Sequence, residues 1–129
     1  MAIIVPGGAS ELSSLKPGTI SMLCDLENWS NRMGMDFRIT SAYRSPARQE
    51  ELRAAWDRGD RQGLVARPAV NSAHTRGEAV DLVPANEKAN LELLGMYALM
   101  RGYRWGGSFS KSDPVHFDIS NTTPGLDGD

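Results

Sequence analysis

The chain of 129 residues has only one cysteine, Cys24, so no intrachain disulfide bond can form. Cys24 stands among Met22, Leu23 and Leu26, and this apolar setting predicts a buried thiol that acts as a small apolar side chain. The sequence therefore neither requires nor indicates an oxidising compartment.

Long apolar runs are also missing. No stretch approaches the roughly 18 apolar residues of a membrane span. The apolar run within residues 1–6 is too short for a signal peptide, and no basic segment precedes it. We therefore expect no membrane partner and a protein made in the cytoplasm, which needs another factor to reach a substrate outside the membrane.

A strong positive charge is absent as well. The net charge of −2 argues against a nucleic-acid partner, because no strong positive field is available to hold phosphates. The arginines are nevertheless concentrated in the middle of the chain. They form either a solvated helix face or a basic segment that attracts an anionic polymer. They are Arg44, Arg48, Arg53, Arg58, Arg61, Arg67 and Arg76.

The length and the 40% hydrophobic content predict one core, and therefore a single domain over residues 1–129. Residues 1–16 read as an irregular lead-in, and residues 121–129 as a flexible tail without an apolar pattern. Between them, helices and strands mix without regular alternation. This order predicts an α+β fold with a small antiparallel or mixed sheet and flanking helices.

Cap, turn and periodicity signals predict the individual elements. In chain order they are a helix from Pro17 that ends at Gly34, a strand over 36–43, a helix over 47–58 capped by Ser45, a loop through about 73, a strand over 78–83, a helix capped by Asn86 and ended by Gly102, a strand over 103–105, a turn at 106–107 and a strand over 115–119.

The two histidines of the chain, His74 and His116, each lie a few residues from carboxylates. Zinc accepts imidazole nitrogen and carboxylate oxygen, and a catalytic zinc site uses three protein ligands and leaves one position open. His74, Asp81 and His116 satisfy that count. The period of two places Asp81 with Ala79 on one strand face, so the three side chains converge if the strands over 78–83 and 115–119 are neighbours. Two unrelated structural histidines are the alternative.

Four short blocks occur in one order over residues 37–119. Residues 41–45 read Ser-Ala-Tyr-Arg-Ser, and residues 72–81 contain Ser-x-His-x-x-Gly-x-Ala-x-Asp. Residues 105–107 read Trp-Gly-Gly, and residues 113–117 contain Asp-x-x-His-Phe. Together they resemble the family of zinc D-alanyl-D-alanine carboxypeptidases and L-alanyl-D-glutamate peptidases. The resemblance implies a Hedgehog/DD-peptidase-like fold and one bound Zn²⁺ ion.

The resemblance also implies roles for single residues. His74, Asp81 and His116 match the zinc ligands, and Asp113 matches the catalytic general base. Arg44 matches a residue that binds the substrate or polarises its carbonyl group.

Ser72 lies where the family lines the substrate cleft. The residues themselves leave other readings open: Asp113 as a turn residue before Pro114, and Arg44 in a salt bridge. Asp118 either orients His116 or faces solvent.

The endopeptidase branch of the family, and phage endolysins in particular, are the most similar. Asp113 and His116 stand in Asp-x-Val-His-Phe, where the carboxypeptidase branch tends to have Glu and Trp-His. Ser108 and Phe109 depart from the Asp-Trp that usually follows Trp-Gly-Gly in endolysin-type members.

The resemblance therefore implies hydrolysis of the L-alanyl-D-glutamate bond of the peptidoglycan stem peptide. The alternatives are a D-alanyl-D-alanine carboxypeptidase or dipeptidase, a non-catalytic zinc-binding module, and a virion structural module. A phage product of this kind is a monomer released by a holin, or is attached to a virion.

Overall fold

The computed structural model describes residues 2–4, 10–61, 67–68 and 72–120. The elements in chain order are β1 (Ile3–Ile4), α1 (Ser10–Ser13), α2 (Pro17–Met33), β2 (Phe37–Ser41), α3 (Pro46–Asp57), β3 (Ala79–Pro84), α4 (Leu91–Met100), β4 (Arg104–Trp105), a 3₁₀ turn (Gly106–Ser108) and β5 (His116–Asp118). Parts of the predicted loop through 73, and the predicted tail over 121–129, lie outside the described residues.

The strands form one five-stranded sheet in the order β1-β2-β3-β5-β4. β1 pairs parallel to β2, and every other neighbouring pair is antiparallel. The sheet is therefore mixed, and the predicted α+β class is confirmed. No helix within the described residues is long and apolar enough to cross a membrane.

Local signals define α2 as predicted. Pro17 occupies the first turn, where its missing N–H leaves no hydrogen bond unmade. Gly34 ends the helix in the left-handed conformation with φ of 71°. Met22 and Leu26 lie one turn apart on the buried face, whereas Cys24 points away from it and is exposed. The prediction of a buried thiol was therefore wrong, because two residues along a helix is more than half a turn.

The core lies on one face of the sheet. Val80, Leu82 and Phe117 are fully buried and belong to one hydrophobic cluster with Leu26 of α2 and Leu94 of α4. Side chains alternate between the two faces of a strand. The residues between these apolar positions in β3 and β5 therefore project from the opposite face, where the candidate site lies.

The pairing of β2 with β3 contains an irregularity that changes which residue faces the site. Ile39 lies opposite Leu82, but the next paired residue, Ser41, lies opposite Asp81, so the register skips Thr40. An extra residue of this kind re-aims the side chains that follow it. Ser41 is consequently placed on the face of Asp81 instead of the core face of Ile39.

Two local predictions need correction. The lead-in over residues 1–16 is not irregular throughout, because it contains β1 and α1, and β1 is defined by its pairing with β2. The cap of α4 is Asn90, whose side chain accepts from the Leu93 N–H. Asn86 accepts from the N–H groups of Asp36 and Ala89 instead, so it closes the turn before the helix.

One carboxylate joins α2 to α4 and to the segment before β4. Asp25 accepts from the hydroxyl groups of Tyr97 and Tyr103 and pairs with Arg101 at 2.8 Å. Burial raises the pKa of Asp25, but the hydrogen bonds from Tyr97, Arg101 and Tyr103 outweigh burial, and the pKa is lowered from its usual value. The cluster therefore stabilises the fold while Asp25 is ionised.

We expect Asp25→Asn to lower the free energy of unfolding by about 1–3 kcal/mol at neutral pH. Because the folded-state pKa of Asp25 lies below its unfolded-state value of about 3.8, its contribution is present above about pH 4 and is lost as the pH falls through the folded-state pKa. Urea unfolding of wild type and Asp25→Asn at several pH values between 3 and 7 measures the contribution of Asp25 to the free energy of unfolding. The exposed Glu87→Gln is the matched control, and an Asp25→Asn protein as stable as wild type would contradict the prediction.

Candidate metal centre and active site

The pairing of β3 with β5 brings two of the predicted ligands together. Asp81 lies directly opposite His116, and Ala79 lies directly opposite Asp118. Directly opposed residues of an antiparallel pair project from the same face, with Cβ atoms about 4.5–5.5 Å apart. The neighbouring strands that the sequence analysis required are therefore present, and Asp81, His116 and Asp118 share the face away from the core.

The third predicted ligand, His74, reaches this face from the turn that leads into β3. The turn closes at Gly77, whose φ of 70° is left-handed and whose added Cβ would lie 2.6 Å from the Ser14 carbonyl oxygen. The Gly77 carbonyl oxygen accepts from the Lys16 N–H and the Thr19 hydroxyl, which ties the turn to the start of α2. Gly77 therefore forms the turn between His74 and β3 at a position where another residue would be strained.

The donor atoms of the three residues form one compact group. His74 Nε2 lies 3.1 Å from Asp81 Oδ1, and His116 Nδ1 lies 3.4 Å from the same oxygen. One ligand atom from each residue falls within 4.8 Å of the others. Two ligands that are each about 2.0–2.1 Å from a tetrahedral zinc ion stand roughly 3.3 Å apart. The spacing therefore fits a single ion of that kind.

The outer nitrogen of each imidazole ring has its own acceptor. His74 Nδ1 lies 2.9 Å from the carbonyl oxygen of Ala42, which can only accept, so this nitrogen carries the proton. His116 Nε2 lies 2.5 Å from Asp118 Oδ2. These contacts leave Nε2 of His74 and Nδ1 of His116 as the metal-facing atoms, because an imidazole binds metal through its unprotonated nitrogen. The donor set therefore fits zinc in chemistry as well as in spacing.

Asp81 is suited to remain an anion in this group. Burial raises the pKa of Asp81, but the charge of His74 and the hydrogen bonds with His116 and His74 lower it well below its usual range. A carboxylate between two imidazoles supplies one negative charge to a divalent cation. The three residues therefore form a mixed nitrogen and oxygen site.

The Trp-Gly-Gly block shapes the turn that carries Asp113. The indole N–H of Trp105 donates to the Pro114 carbonyl oxygen at 2.8 Å. The Gly106 carbonyl oxygen accepts from the Asp113 N–H, and the Asp113 carbonyl oxygen accepts from the His116 N–H. The partly buried Asp113 is therefore held by its backbone three residues before the predicted ligand His116.

Gly106 lacks space for any side chain. An added Cβ would lie 2.1 Å from the Asp113 carbonyl oxygen and 2.8 Å from His116 Cβ. We expect Gly106→Ala to push the turn over 113–116 away from β3, to weaken zinc binding, and to lower stability by about 1–3 kcal/mol. A chelator-competition titration and urea unfolding measure the two effects. The exposed Lys111→Ala in the same loop is the control, and wild-type zinc affinity in Gly106→Ala would contradict this reading.

Arg44 is held beside the ligands by neutral groups. Its guanidinium donates to Gln49 Oε1 at 2.9 Å and to Ser41 Oγ at 3.0 Å, and its N–H donates to the His74 carbonyl oxygen. It is 9% exposed. Within residues 2–4, 10–61, 67–68 and 72–120, no carboxylate pairs with Arg44. The alternative of an internal salt bridge therefore finds no support, and a nearly buried positive charge is retained.

Most of the other central arginines are paired or stacked. Arg48 and Arg53 bind glutamates one turn away on α3, and Arg67 forms two hydrogen bonds with Asp57. Arg76 binds Glu78, and Arg61 lies over the Trp56 ring at 3.8 Å. These contacts agree with a solvated face whose charges are largely compensated.

Ser72 supports the turn that carries His74 through its hydrogen bonds. Its hydroxyl oxygen accepts from the His74 N–H at 3.0 Å, and its carbonyl oxygen accepts from Thr75. The residue is only 2% exposed. These contacts give Ser72 a role in holding His74, and contact between Ser72 and a substrate stays a prediction.

The structure adds residues that the motifs did not single out. Gln49 lies on the buried stripe of α3 with Leu52 and Ala55, and a polar residue on an apolar stripe is the signal that points to it. Phe109, where the family pattern has Trp, is buried with its ring centroid 5.5 Å from that of His116. Arg104 has its Cζ 4.7 Å from the Phe109 ring, and its proximity to the site depends on strand pairing that the sequence does not show.

The sheet and the His-Asp-His group together define a class of α+β proteins in which three side chains could hold one metal ion and leave a fourth position open. Residues 12–109 match the family model VanY, described as D-alanyl-D-alanine carboxypeptidase, and this range is more than half of the chain. The chain belongs to this family. The matched range ends before Asp113 and His116, so the structure is what connects these two residues to the rest of the site.

Solved structures of peptidases share the fold. The L-Ala D-Glu endopeptidase ChiX of Serratia marcescens matches with a TM-score of 0.63 and 21% identity, over 92% of this chain and 90% of that one. A mutant of the vancomycin resistance D,D-pentapeptidase VanY in complex with Zn(II) matches with a TM-score of 0.62 and 18% identity, over 81% of this chain and 72% of that one. DacB from Streptococcus pneumoniae matches with a TM-score of 0.60 and 19% identity, over 84% of this chain and 67% of that one. No curated protein matches the chain significantly.

Proposed function

We propose that the protein is a zinc-dependent peptidoglycan peptidase that hydrolyses the L-alanyl-D-glutamate bond of the stem peptide. The observation that carries the proposal is the group of His74, Asp81 and His116 with the guanidinium of Arg44 nearby, which has no carboxylate partner in the described part of the chain. Such a site combines a Lewis acid with a fixed positive charge. Family membership supports the reaction class, a peptidoglycan peptidase. The choice of bond rests on the resemblance of Asp113 and the Val-His-Phe segment to the endopeptidase branch.

The three ligands account for the metal-binding half of the site. When bound, a Zn²⁺ ion supplies the Lewis acidity that makes water a nucleophile near neutral pH. His74 and Asp81 hold their positions through the turn at Gly77 and the β3–β5 pairing, whatever the substrate. The protein therefore contributes a pre-formed set of donors, which keeps the reorganisation needed for binding small.

Asp113 is proposed to be the general base, which transfers a proton from water to the leaving group. In this role its carboxylate takes a proton from the attacking water and delivers it to the leaving amine nitrogen as the C–N bond breaks. The hydrogen bonds of its backbone to Gly106 and His116 fix its position in the turn that leads to the proposed ligand His116. Its partial burial leaves the side chain accessible to a substrate.

Arg44 is proposed to bind negative charge on the substrate. The stem peptide is rich in carboxylates, and the carbonyl oxygen gains negative charge as the tetrahedral intermediate forms. Because Gln49 and Ser41 occupy only part of the five N–H donors of a guanidinium, further donors are left for such a group. The register shift at Thr40 matters here, because it aims Ser41 towards Asp81 and so holds Arg44 near the metal ligands.

The neutrality of Gln49 provides a test of this role. We expect Gln49→Glu to keep the hydrogen bond to Arg44 and the stability of the fold, because it conserves shape and adds an ion pair. Because the new carboxylate compensates the charge of the Arg44 guanidinium, the rate of hydrolysis should fall by about 10-fold or more. Rates and urea unfolding are compared with Glu51→Gln, an exposed change of similar shape on the same helix. Undiminished hydrolysis in Gln49→Glu would exclude the charge of Arg44 from the reaction.

Digestion of purified peptidoglycan tests the bond. We expect new amino-terminal D-glutamate with zinc, no products after metal removal by a chelator, and recovery when zinc is restored. Release of free D-alanine without new D-glutamate termini would replace the proposal by the carboxypeptidase alternative. That alternative is kept because the matching family model bears that description. Zinc binding without any product would indicate a non-catalytic module.

The proposed setting is a phage lysis protein, released by a holin or carried on a virion. The resemblance of Trp105-Gly106-Gly107 to the Trp-Gly-Gly turn of endolysin-type members supports it. Mass spectrometry of purified particles of a phage that encodes the chain separates the two settings. Detection in the particle would favour a virion enzyme, and absence would favour a free endolysin.

A further inference from the structure

A buried polar network lies behind His116, on the side away from the other ligands. Asp118 is 1% exposed, and Arg104 and Ser120 are each 8% exposed. Asp118 Oδ2 contacts His116 Nε2 at 2.5 Å, and Asp118 Oδ1 accepts from the Ser120 N–H at 2.8 Å. Arg104 donates to Ser120 Oγ at 2.9 Å and lies 3.7 Å from Asp118 Oδ1. Both oxygens of Asp118 are therefore directed by neighbours.

Strand pairing builds this network. Arg104 of β4 lies directly opposite Asp118 of β5, so the two side chains project from the same face of the sheet. Phe109 packs against both the Arg104 guanidinium and the His116 ring. An aromatic cover of this kind keeps water from competing for the Asp118 carboxylate, and electrostatic interactions gain strength when water is excluded.

The two histidines of the site differ in what orients them. The outer nitrogen of His74 donates to the Ala42 main-chain carbonyl, whose position follows from the backbone. The outer nitrogen of His116 meets a carboxylate, which is a stronger acceptor for an N–H group. A carboxylate at this place holds the proton on Nε2, keeps Nδ1 towards Asp81, and makes the ring a better donor to a cation.

We propose that Asp118 is the residue that positions His116 for the metal, and that Arg104 and Ser120 position Asp118. The proposal rests on the metal site of the proposed function, but not on the peptide bond that is cut. Loss of a partner of this kind typically lowers metal affinity by about 10–100-fold. We expect Asp118→Asn to fall within that range and Arg104→Gln to lie near its lower end, about 10-fold.

Two measurements on the full chain test the proposal without any hydrolysis assay. Competition with a chromophoric chelator gives the zinc dissociation constant of wild type, Asp118→Asn, Arg104→Gln and the exposed control Glu92→Gln. Long-range ¹H–¹⁵N NMR spectra of the metal-free proteins report which nitrogen of His116 carries the proton. We expect the Nε2–H form in wild type, and a mixture with the Nδ1–H form in Asp118→Asn.

Zinc affinity within 2-fold of wild type in both variants would overturn the proposal, as would an unchanged His116 tautomer in Asp118→Asn. Urea unfolding of the metal-free protein shows whether Asp118→Asn folds. If it does not fold, the zinc affinity of Arg104→Gln tests the proposal. Weaker zinc binding with altered tautomer supports the proposal even where no peptidoglycan is cleaved. Failure of the positioning role and failure of the proposed function are therefore distinguishable.

Discussion

Replacing Asp113 with Asn should leave zinc binding intact and slow peptide hydrolysis by about 10²–10⁴-fold. The amide conserves the shape of the side chain and the backbone hydrogen bonds to Gly106 and His116, but it cannot accept a proton from water. Asp113 is not among the three donors of the metal group, so removing its charge leaves those donors in place. Product release from purified peptidoglycan and a zinc titration measure the two quantities.

The exposed Ser112→Ala, one residue earlier in the same turn, separates loss of the carboxylate from disturbance of the loop. Its hydroxyl donates only to the Gly107 carbonyl oxygen at 3.3 Å, and we expect nearly wild-type rates. An Asp113→Asn protein that digests peptidoglycan as fast as wild type would remove Asp113 from the reaction. Loss of zinc in the same variant would make Asp113 a residue of the metal site instead.

The second large effect is expected from the metal ligands themselves. His116→Ala removes one of three donors and leaves two, which is too few to hold zinc at a catalytic site. We therefore expect hydrolysis to fall to the background rate. A ligand that binds only the folded state stabilises it by about 4 kcal/mol at a free concentration of 1,000 times its dissociation constant. Added zinc should accordingly shift the urea midpoint of wild type but not that of His116→Ala.

Chelation gives the same result without a mutation. Wild-type protein freed of metal should be inactive and should recover with one equivalent of zinc, whereas His116→Ala should not recover. Metal analysis of the treated sample is the control, because it shows that the ion has gone. Hydrolysis by a protein shown to be metal-free would contradict the proposed chemistry, whatever the bond.

Local signals were sufficient for the helices whose ends depend on their own residues. α2 begins at Pro17 and is ended by Gly34, and Ser45 caps α3 by accepting from the Arg48 N–H. Such signals act within a few residues, so they can be read from the chain. They failed where two equivalent candidates stood close together, as with Asn86 and Asn90 before α4. Either side chain is able to cap, and in the structure the cap is Asn90.

Elements defined by distant partners were not predictable in the same way. β1 has two residues, too few for any periodic pattern, and it is a strand only because it pairs with β2. The register shift at Thr40 likewise exists only in the pairing with β3. Its consequence, the placement of Ser41 beside Asp81, was therefore beyond the reach of the sequence.

The sequence by itself determined which side chains are the candidates for the chemistry: two histidines, one aspartate seven residues after the first, and the Asp113 and Arg44 blocks in family order. The tertiary structure decided how they are arranged. It turned Nε2 of His74 and Nδ1 of His116 towards Asp81, gave Asp118 its place behind His116, and left Arg44 with neutral partners. Residue types are properties of the chain, whereas the proton of the His74 ring is placed by Ala42, a neighbour 32 residues away that only the folded chain brings into contact.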